Sequence, residues 1–179
     1  MDDSAHIREA ILKARASRLA HRRSPWTEAA ETTEAGSDWL FFRRSRRIFG
    51  LETGFAAEAH ILGGMTPIPC VPPFIQGVTL LRGRVVAIMD LPLFLGLDAG
   101  SATEAQAVVM VRGHGLETAL LADEVLEVQR MTEADVLPAP GNLPPALAAL
   151  CRGVTAQGWL LLDGDALLKD PNLLVEERA

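Results

Sequence analysis

The chain has 179 residues, 49% hydrophobic and 22% charged, with a formal net charge of −6. That length suits one domain or two small subdomains, with a core that needs neither disulfides nor a metal. The acidic balance argues against bulk nucleic-acid binding, and the absence of Tyr, with aromatics at 5%, removes stacking platforms for single strands. Cys70 and Cys151 stand far apart with no C-x-x-C, so a zinc site has no support. Both read as buried small hydrophobes in a reducing, cytoplasmic setting.

Residues 4–22 read as a helix. Ser4 can cap it, and Ile7, Ala10, Ile11 and Ala14 recur at helical spacing. Three roles fit such a helix: docking on its own domain, on a partner, or on a membrane surface. It contains no apolar signal-peptide core. Residues 23–38, with Pro25, several acids and Gly36, read as a linker, in which the lone Trp26 is expected to pack back onto the domain.

Trp39 to Leu51 reads as strand, basic turn, strand. Arg43, Arg44, Arg46 and Arg47 surround Ser45 there. A solvated hairpin tip is one reading of that run, and a phosphate or nucleic-acid patch is the other. Gly54 to Gly64 is weakly patterned. The uncharged run Ile61 to Leu81 is long enough to span a bilayer, but Gly63, Gly64, Pro67, Pro69, Pro72, Pro73 and Gly77 interrupt it. No continuous helix forms through those residues, so no membrane insertion is expected.

Pro72 and Pro73 stop one element before the next. Phe74–Leu81 and Arg84–Met89 are apolar runs separated by Arg82-Gly83, the pattern of a β-hairpin. Nearly every position in both runs is apolar, which predicts burial on both faces. Leu91 to Leu97 reads as a short helix capped by Asp90 and ended by Gly96, followed by a loop from Asp98 to Gln106. Ala107–Val111, Leu116–Ala122 and Val125–Met131 are predicted core strands. Asp90 and Asp123 read as carboxylates that accept backbone N–H bonds at strand exits. Asp163-Gly164-Asp165 reads as a strand-ending turn and helix cap, because the later ligands of a calcium loop are missing.

The two halves rhyme. Each has apolar strands closed by an aspartate and a Leu-rich segment, and Thr66-Pro67-Ile68-Pro69 answers Leu137-Pro138-Ala139-Pro140. Two small antiparallel barrels sharing a core would explain this, so the expected class is all-β. No paired acid and base, no nucleotide motif and no metal-ligand set appears, so no catalytic, cofactor-binding or metal residue is assigned. Nothing places His60 beside Cys70 as a base and thiol pair.

One stretch also resembles a known family. Pro72, Phe74, Ile75, Gly77, Val78, Leu81, Arg82, Gly83, Asp90 and Leu91 follow the signature P-x-F-I-x-G-V-x-N-L-R-G-x-x-x-P-V-I-D-L of the CheW-like coupling proteins of bacterial chemosensory arrays, with Leu80 in place of Asn and Ala87 in place of Pro. The likeness extends over residues 39–170. It leaves residues 1–38 as an N-terminal helix and linker and 171–179 as a tail. The resemblance implies two five-stranded SH3-like β-barrel subdomains with short connecting helices. It implies a non-enzymatic adaptor between methyl-accepting chemoreceptors and a CheA-type histidine kinase, cytoplasmic and associated with receptor arrays at the inner membrane. It places Ala56, Val85, Gln106, Ala107 and Val125 in a groove for the receptor's helical tip. It places Glu58, Gly77 and Arg82 at the contact with the kinase regulatory domain or in coupling. The residues alone also leave Arg82 as a turn arginine paired with a carboxylate. Two alternatives stand beside this reading: a divergent scaffold of a non-motility pathway, and a small nucleic-acid-binding barrel using Arg43, Arg44, Arg46, Arg47, Arg82 and Arg84.

Overall fold

The computed structural model describes residues 36–99 and 105–173. The predicted helix at 4–22, Trp26 and part of the Asp98–Gln106 loop lie outside the described residues. Ten strands follow in order: β1 (Ser37–Arg44), β2 (Arg47–Glu52), β3 (Ala56–Ile61), β4 (Ile75–Leu81), β5 (Arg84–Met89), β6 (Ala107–Gly113), β7 (Leu116–Ala122), β8 (Glu124–Met131), β9 (Cys151–Val154) and β10 (Leu160–Leu162). Three short helices punctuate them: α1 (Leu91–Phe94), α2 (Pro145–Leu150) and α3 (Gly164–Lys169).

The strands form two five-stranded sheets, β8-β1-β2-β10-β9 and β3-β6-β7-β5-β4. The two rhyming halves of the chain do not each make one sheet. Each half runs as a hairpin followed by three strands, and the halves exchange those three strands. The β1–β2 hairpin is completed by β8, β9 and β10, and the β6–β7 hairpin by β3, β4 and β5. The exchange makes one pairing in each sheet parallel, β10 with β2 and β5 with β7, where two wholly antiparallel units were expected. A parallel pair needs a crossover, and the strand-rich intervals between the paired strands supply it.

The rhyme in the connecting segments is structural. Thr66 bridges Val78 beside β4, and Leu137 bridges Val154 beside β9. Glycine is required where each segment crosses its strand. A Cβ on Gly77 would collide with the Thr66 carbonyl, and one on Gly153 with the Leu137 carbonyl. Gly77 also has φ +149, which side chains rarely adopt.

Strand alternation divides the interior into three clusters. Leu40, Phe42, Phe49 and Leu51 of one sheet meet Met89, Val109, Val111 and Leu120 of the other in the shared core. The opposite face of the first sheet buries Trp39, Phe41, Met131 and Leu161. The opposite face of the second buries Val86, Ile88, Val108, Met110, Ala119 and Leu121. Central strands covered on both faces explain the continuous apolar runs of the sequence.

One buried polar network sits at the junction of the sheets. Arg44, at the end of β1, donates to both oxygens of Asp90 (3.2 and 2.6 Å) and to Asp123 (2.7 Å). The other Asp123 oxygen accepts the Ser45 amide at 2.6 Å. All three side chains are buried. Burial alone would lower the Arg44 pKa, but its bonds to Asp90 and Asp123 and their charges outweigh that, and it sits above its ordinary value.

This network corrects two expectations. Arg44 is not part of a solvated tip. Asp90 occupies the N-cap position of α1 but makes no side-chain cap bond, because its carboxylate is engaged by Arg44. Asp123 takes the expected backbone bond and the guanidinium as well. Asp163 does cap α3, accepting from the Ala166 amide at 2.9 Å.

The β4–β5 hairpin is also corrected. β4 is the edge strand of its sheet, and burial on both faces holds only at the far end of β5, where Met89 enters the shared core and Ile88 the inner cluster, and is lost toward the turn. Leu80 and Val85, partners across the hairpin, are 68% and 73% exposed. Neither cysteine is fully buried: Cys70 is exposed, with φ 63 in the Pro-rich connection, and Cys151 is half-buried in β9.

Removing one partner from a buried ion network strands the others, which costs about 3–5 kcal/mol. Arg44→Ala is expected to lower stability by that amount in urea denaturation. Arg46→Ala, on the exposed turn, is expected to change it by less than about 0.5 kcal/mol.

Candidate functional site

The strand alternation that buries the second sheet's inner cluster also builds a charged mouth at one end of it. Ile88, Val86 and Arg84 follow one another on one face of β5. Val108, Met110 and Arg112 do so on β6, and Leu121, Ala119 and Glu117 on β7. In each strand the last member is charged and reaches solvent. An irregularity in the β3–β6 register between Ala56 and Glu58 puts the neighbours Ala57 and Glu58 on the same face, while Ala56 and Ala59 enter the shared core. Glu58 and His60 then join the mouth from β3, and Arg82 closes it from the β4–β5 turn.

The result is a concavity of about 290 Å³ floored by Leu81, Val86 and Met110. Arg82 donates to one oxygen of Glu58 at 2.9 Å, and His60 Nε2 lies 2.9 Å from the other. Arg84 contacts Glu117 at 3.0 Å. Arg112 reaches the second Glu117 oxygen through Nε, at 3.1 Å, and through a closer Nη2 contact. Arg82 sits at φ 51 beside Gly83 at φ 77, a left-handed pair that turns the hairpin and aims the guanidinium back over β3.

Two residues from separate parts of the sequence, Glu58 and Arg82, are therefore brought into direct contact. Arg82 does pair with a carboxylate, as the residues alone allowed, and it does so at the surface. Gly77 lies in β4 with its backbone against Thr66, where its glycine identity serves close approach.

The five groove residues do not converge. Ala56, Ala107 and Val125 are buried in the shared core. They set how closely the sheets pack and present no surface of their own. Val85 and Gln106 are exposed. Parallel pairing puts Ile88 beside Ala119, so Val85 is level with Leu116, whereas Gln106 adjoins Ala122. That is six residues along a strand, roughly 20 Å at 3.3 Å per residue.

Arg112 and Glu117 are site residues to which the sequence reading gave no role, while Arg84 figured there only in the nucleic-acid alternative and His60 only in the discounted pair with Cys70. Their signal was available in the period-2 alternation that continues from apolar into charged positions. Three of the four arginines near Ser45 are engaged: Arg43 with Glu124 at 2.7 Å, Arg44 in the buried network, and Arg47 with the Asp98 carbonyl at 3.1 Å. Those engagements, two of them with carboxylates, weaken the nucleic-acid reading of the cluster. Among the described residues no group of three or more His, Cys, Asp or Glu is placed to hold a metal, and no helix is long and apolar enough to cross a membrane.

The hydrogen bond from Arg112, against a smaller opposing effect of burial, holds the Glu117 carboxyl below its ordinary value. A carboxyl whose pKa is lowered by folding contributes stability above its unfolded pKa, and that contribution is lost as pH falls through the folded value. The urea midpoint is therefore expected to decline as pH drops below the ordinary carboxylate range. Glu117→Gln is expected to flatten that part of the profile, read from midpoints collected across acid pH.

Comparison with known proteins places this fold. The sequence profile of the CheW-like domain matches residues 38–172. The chain is 30% identical to protein PilI of Pseudomonas aeruginosa over 148 residues, covering 79% of this chain and 82% of that one. It is 33% identical to protein FrzA of Myxococcus xanthus, covering 68% and 76%. It is 27% identical to the chemotaxis protein CheW of Rhizobium meliloti, covering 72% and 83%. The fold matches the scaffolding protein TtCheW of Thermoanaerobacter tengcongensis with a TM-score of 0.59 at 22% identity, over 72% of this chain and 88% of that one. The two exchanged sheets are thus the paired SH3-like subdomains of that fold. With most of its length matched by the profile and its strands arranged as in a solved relative, the chain belongs to the CheW-like domain family.

Proposed function

We propose that this protein is a non-catalytic adaptor that couples methyl-accepting chemoreceptors to a CheA-type histidine kinase. The observation that carries the reading is the Glu58–Arg82 pair. Both residues were expected at a partner contact, and they meet at the rim of one site at 2.9 Å. Arg82 is about half exposed and Glu58 mostly covered, so the guanidinium is the group a partner meets first. A planar fork with spare donors suits bidentate recognition of carboxylates and carbonyls.

On this reading the kinase regulatory domain docks at the β4–β5 hairpin and the mouth beneath it. Exposed Leu80 and Val85 supply apolar area beside the charged tip, in the manner of an apolar patch with a polar rim. The receptor tip binds elsewhere as a helix in a groove between the subdomains. Ala56, Ala107 and Val125 shape that groove from beneath, through the packing of the shared core. The functional output is a shift in kinase activity, which requires differential contact with two kinase states and no chemistry by this chain. The protein would work in the cytoplasm, held at receptor arrays by many modest contacts whose avidity exceeds each one.

A second reading, a scaffold of a non-motility chemosensory pathway, is favoured by Leu80. It replaces the family's asparagine with an exposed apolar side chain at the hairpin, which changes what the tip can recognise.

The test is a binding titration against a CheA regulatory domain and a receptor tip from the same genome. Wild-type protein is expected to bind both in the micromolar range, about −8 kcal/mol. Glu58→Ala is expected to weaken kinase binding about tenfold with little effect on the receptor. Arg82→Ala is expected to impair kinase control more than either affinity. Folded protein that binds neither partner overturns the reading.

A further inference from the structure

The mouth of the second subdomain has an order of charge that pairing alone does not require. Its two carboxylates are sunk: the Glu58 and Glu117 side chains are 20% and 17% exposed. Its three guanidinium groups stand outermost, with Arg82, Arg84 and Arg112 at 54%, 68% and 50%. An approaching group therefore meets a positive rim, on a protein whose net charge is −6.

Most of the donors on that rim are unspent. A guanidinium carries five N–H groups in a fixed fork. Arg82 and Arg84 each place one nitrogen on a carboxylate, and Arg112 places two, both on the same Glu117 oxygen. Three cations face two anions, so the site keeps an excess positive charge even with every pair formed. Beneath the rim the floor is Leu81, Val86 and Met110, apolar and partly withdrawn from water. Charge pairs there are screened less than on open surface.

We propose that this mouth is a binding site for a carboxylate carried on a short aliphatic stem. The carboxylate would lie across the free guanidinium edges of Arg84 and Arg112, within reach of Arg82. The stem would rest on Val86 and Met110. The volume is ample for one such group. Two sources present this chemistry: the glutamate or aspartate side chain of a protein partner, or a free dicarboxylate. In either case a ligand that drew Arg82 onto itself would loosen its bond to Glu58, which would link occupancy of the mouth to the pair at its edge. The site rests on its own geometry and does not depend on which kinase or receptor the protein serves.

The experiment uses the full chain labelled at methionine methyl carbons and arginine Nε. Glutarate, its neutral isostere glutaramide, and the blocked tripeptide acetyl-Gly-Glu-Gly-amide are titrated at constant ionic strength. Glutarate is expected to shift the Met110 methyl and the Arg84 and Arg112 Nε signals saturably in the millimolar range, and glutaramide is expected to leave them unmoved. Saturation by the tripeptide as well assigns the site to a partner's acidic side chain. Saturation by glutarate alone assigns it to a free dicarboxylate. Arg84→Gln is expected to weaken binding at least fivefold, whereas Arg46→Gln, an arginine outside the mouth, is expected to leave it unchanged. The proposal is overturned by shifts that grow linearly without saturating, by equal response to glutaramide, or by an Arg84→Gln protein that stays folded and binds as wild type does.

Discussion

Arg44 ties the molecule together. Its guanidinium leaves the end of β1 and reaches Asp90 at the exit of β5 and Asp123 between β7 and β8. Those points belong to both sheets and to the crossing between them. A guanidinium is well suited to the place, because one planar group satisfies two carboxylates in fixed directions and stays charged. An isolated charge at that depth would be costly to bury. The network fixes the junction because it is stable only when all three members are present. Apolar side chains of the same volume could hold the sheets together as tightly, but they would not prescribe the same angular fit of three strand ends.

The strand exchange explains why the junction matters. Because each half of the chain gives three strands to the other half's hairpin, neither sheet can form from one half alone. The central core, with Phe42 and Phe49 on one side and Val109 and Leu120 on the other, closes only when both halves are present. Loop-closure entropy is spent on long-range pairings early, before most of the burial is gained. The two glycines at the crossing segments, Gly77 and Gly153, serve the same end: they let a connecting segment lie directly on an edge strand, which covers part of an otherwise open sheet edge.

The candidate site lies where the second sheet stops being apolar. The same three strands that build the inner cluster supply Arg84, Arg112 and Glu117 one step further along, so the mouth is rigid without any dedicated loop. Isolated surface ion pairs contribute about 0.2–1 kcal/mol each, so the chief effect of these pairs is placement. They hold long side chains in defined positions over a small apolar floor.

The sequence by itself determined the class and most strand positions, because period-2 burial and Gly/Pro turns are local signals. β6, β7 and β8 lie where the apolar runs at 107–131 predict them, and the Asp163 cap follows from the residue and its setting. The repeat was legible too, in the paired P-x-P segments and the aspartates that close each half. Tertiary structure alone decided how the repeats combine, since the composition of Phe74–Met89 does not state that its hairpin is an edge, with Leu80 and Val85 left in solvent. Asp90 and Asp163 occupy matching places in the two halves, yet one meets a guanidinium from a distant strand and the other caps a helix. Likewise Glu58 and Arg82 are 24 positions apart, and only the register of β3 on β6 and the turn after β4 bring them together. Local chemistry specifies what a residue can bind. Which partner it finds depends on pairings between segments far apart in the chain.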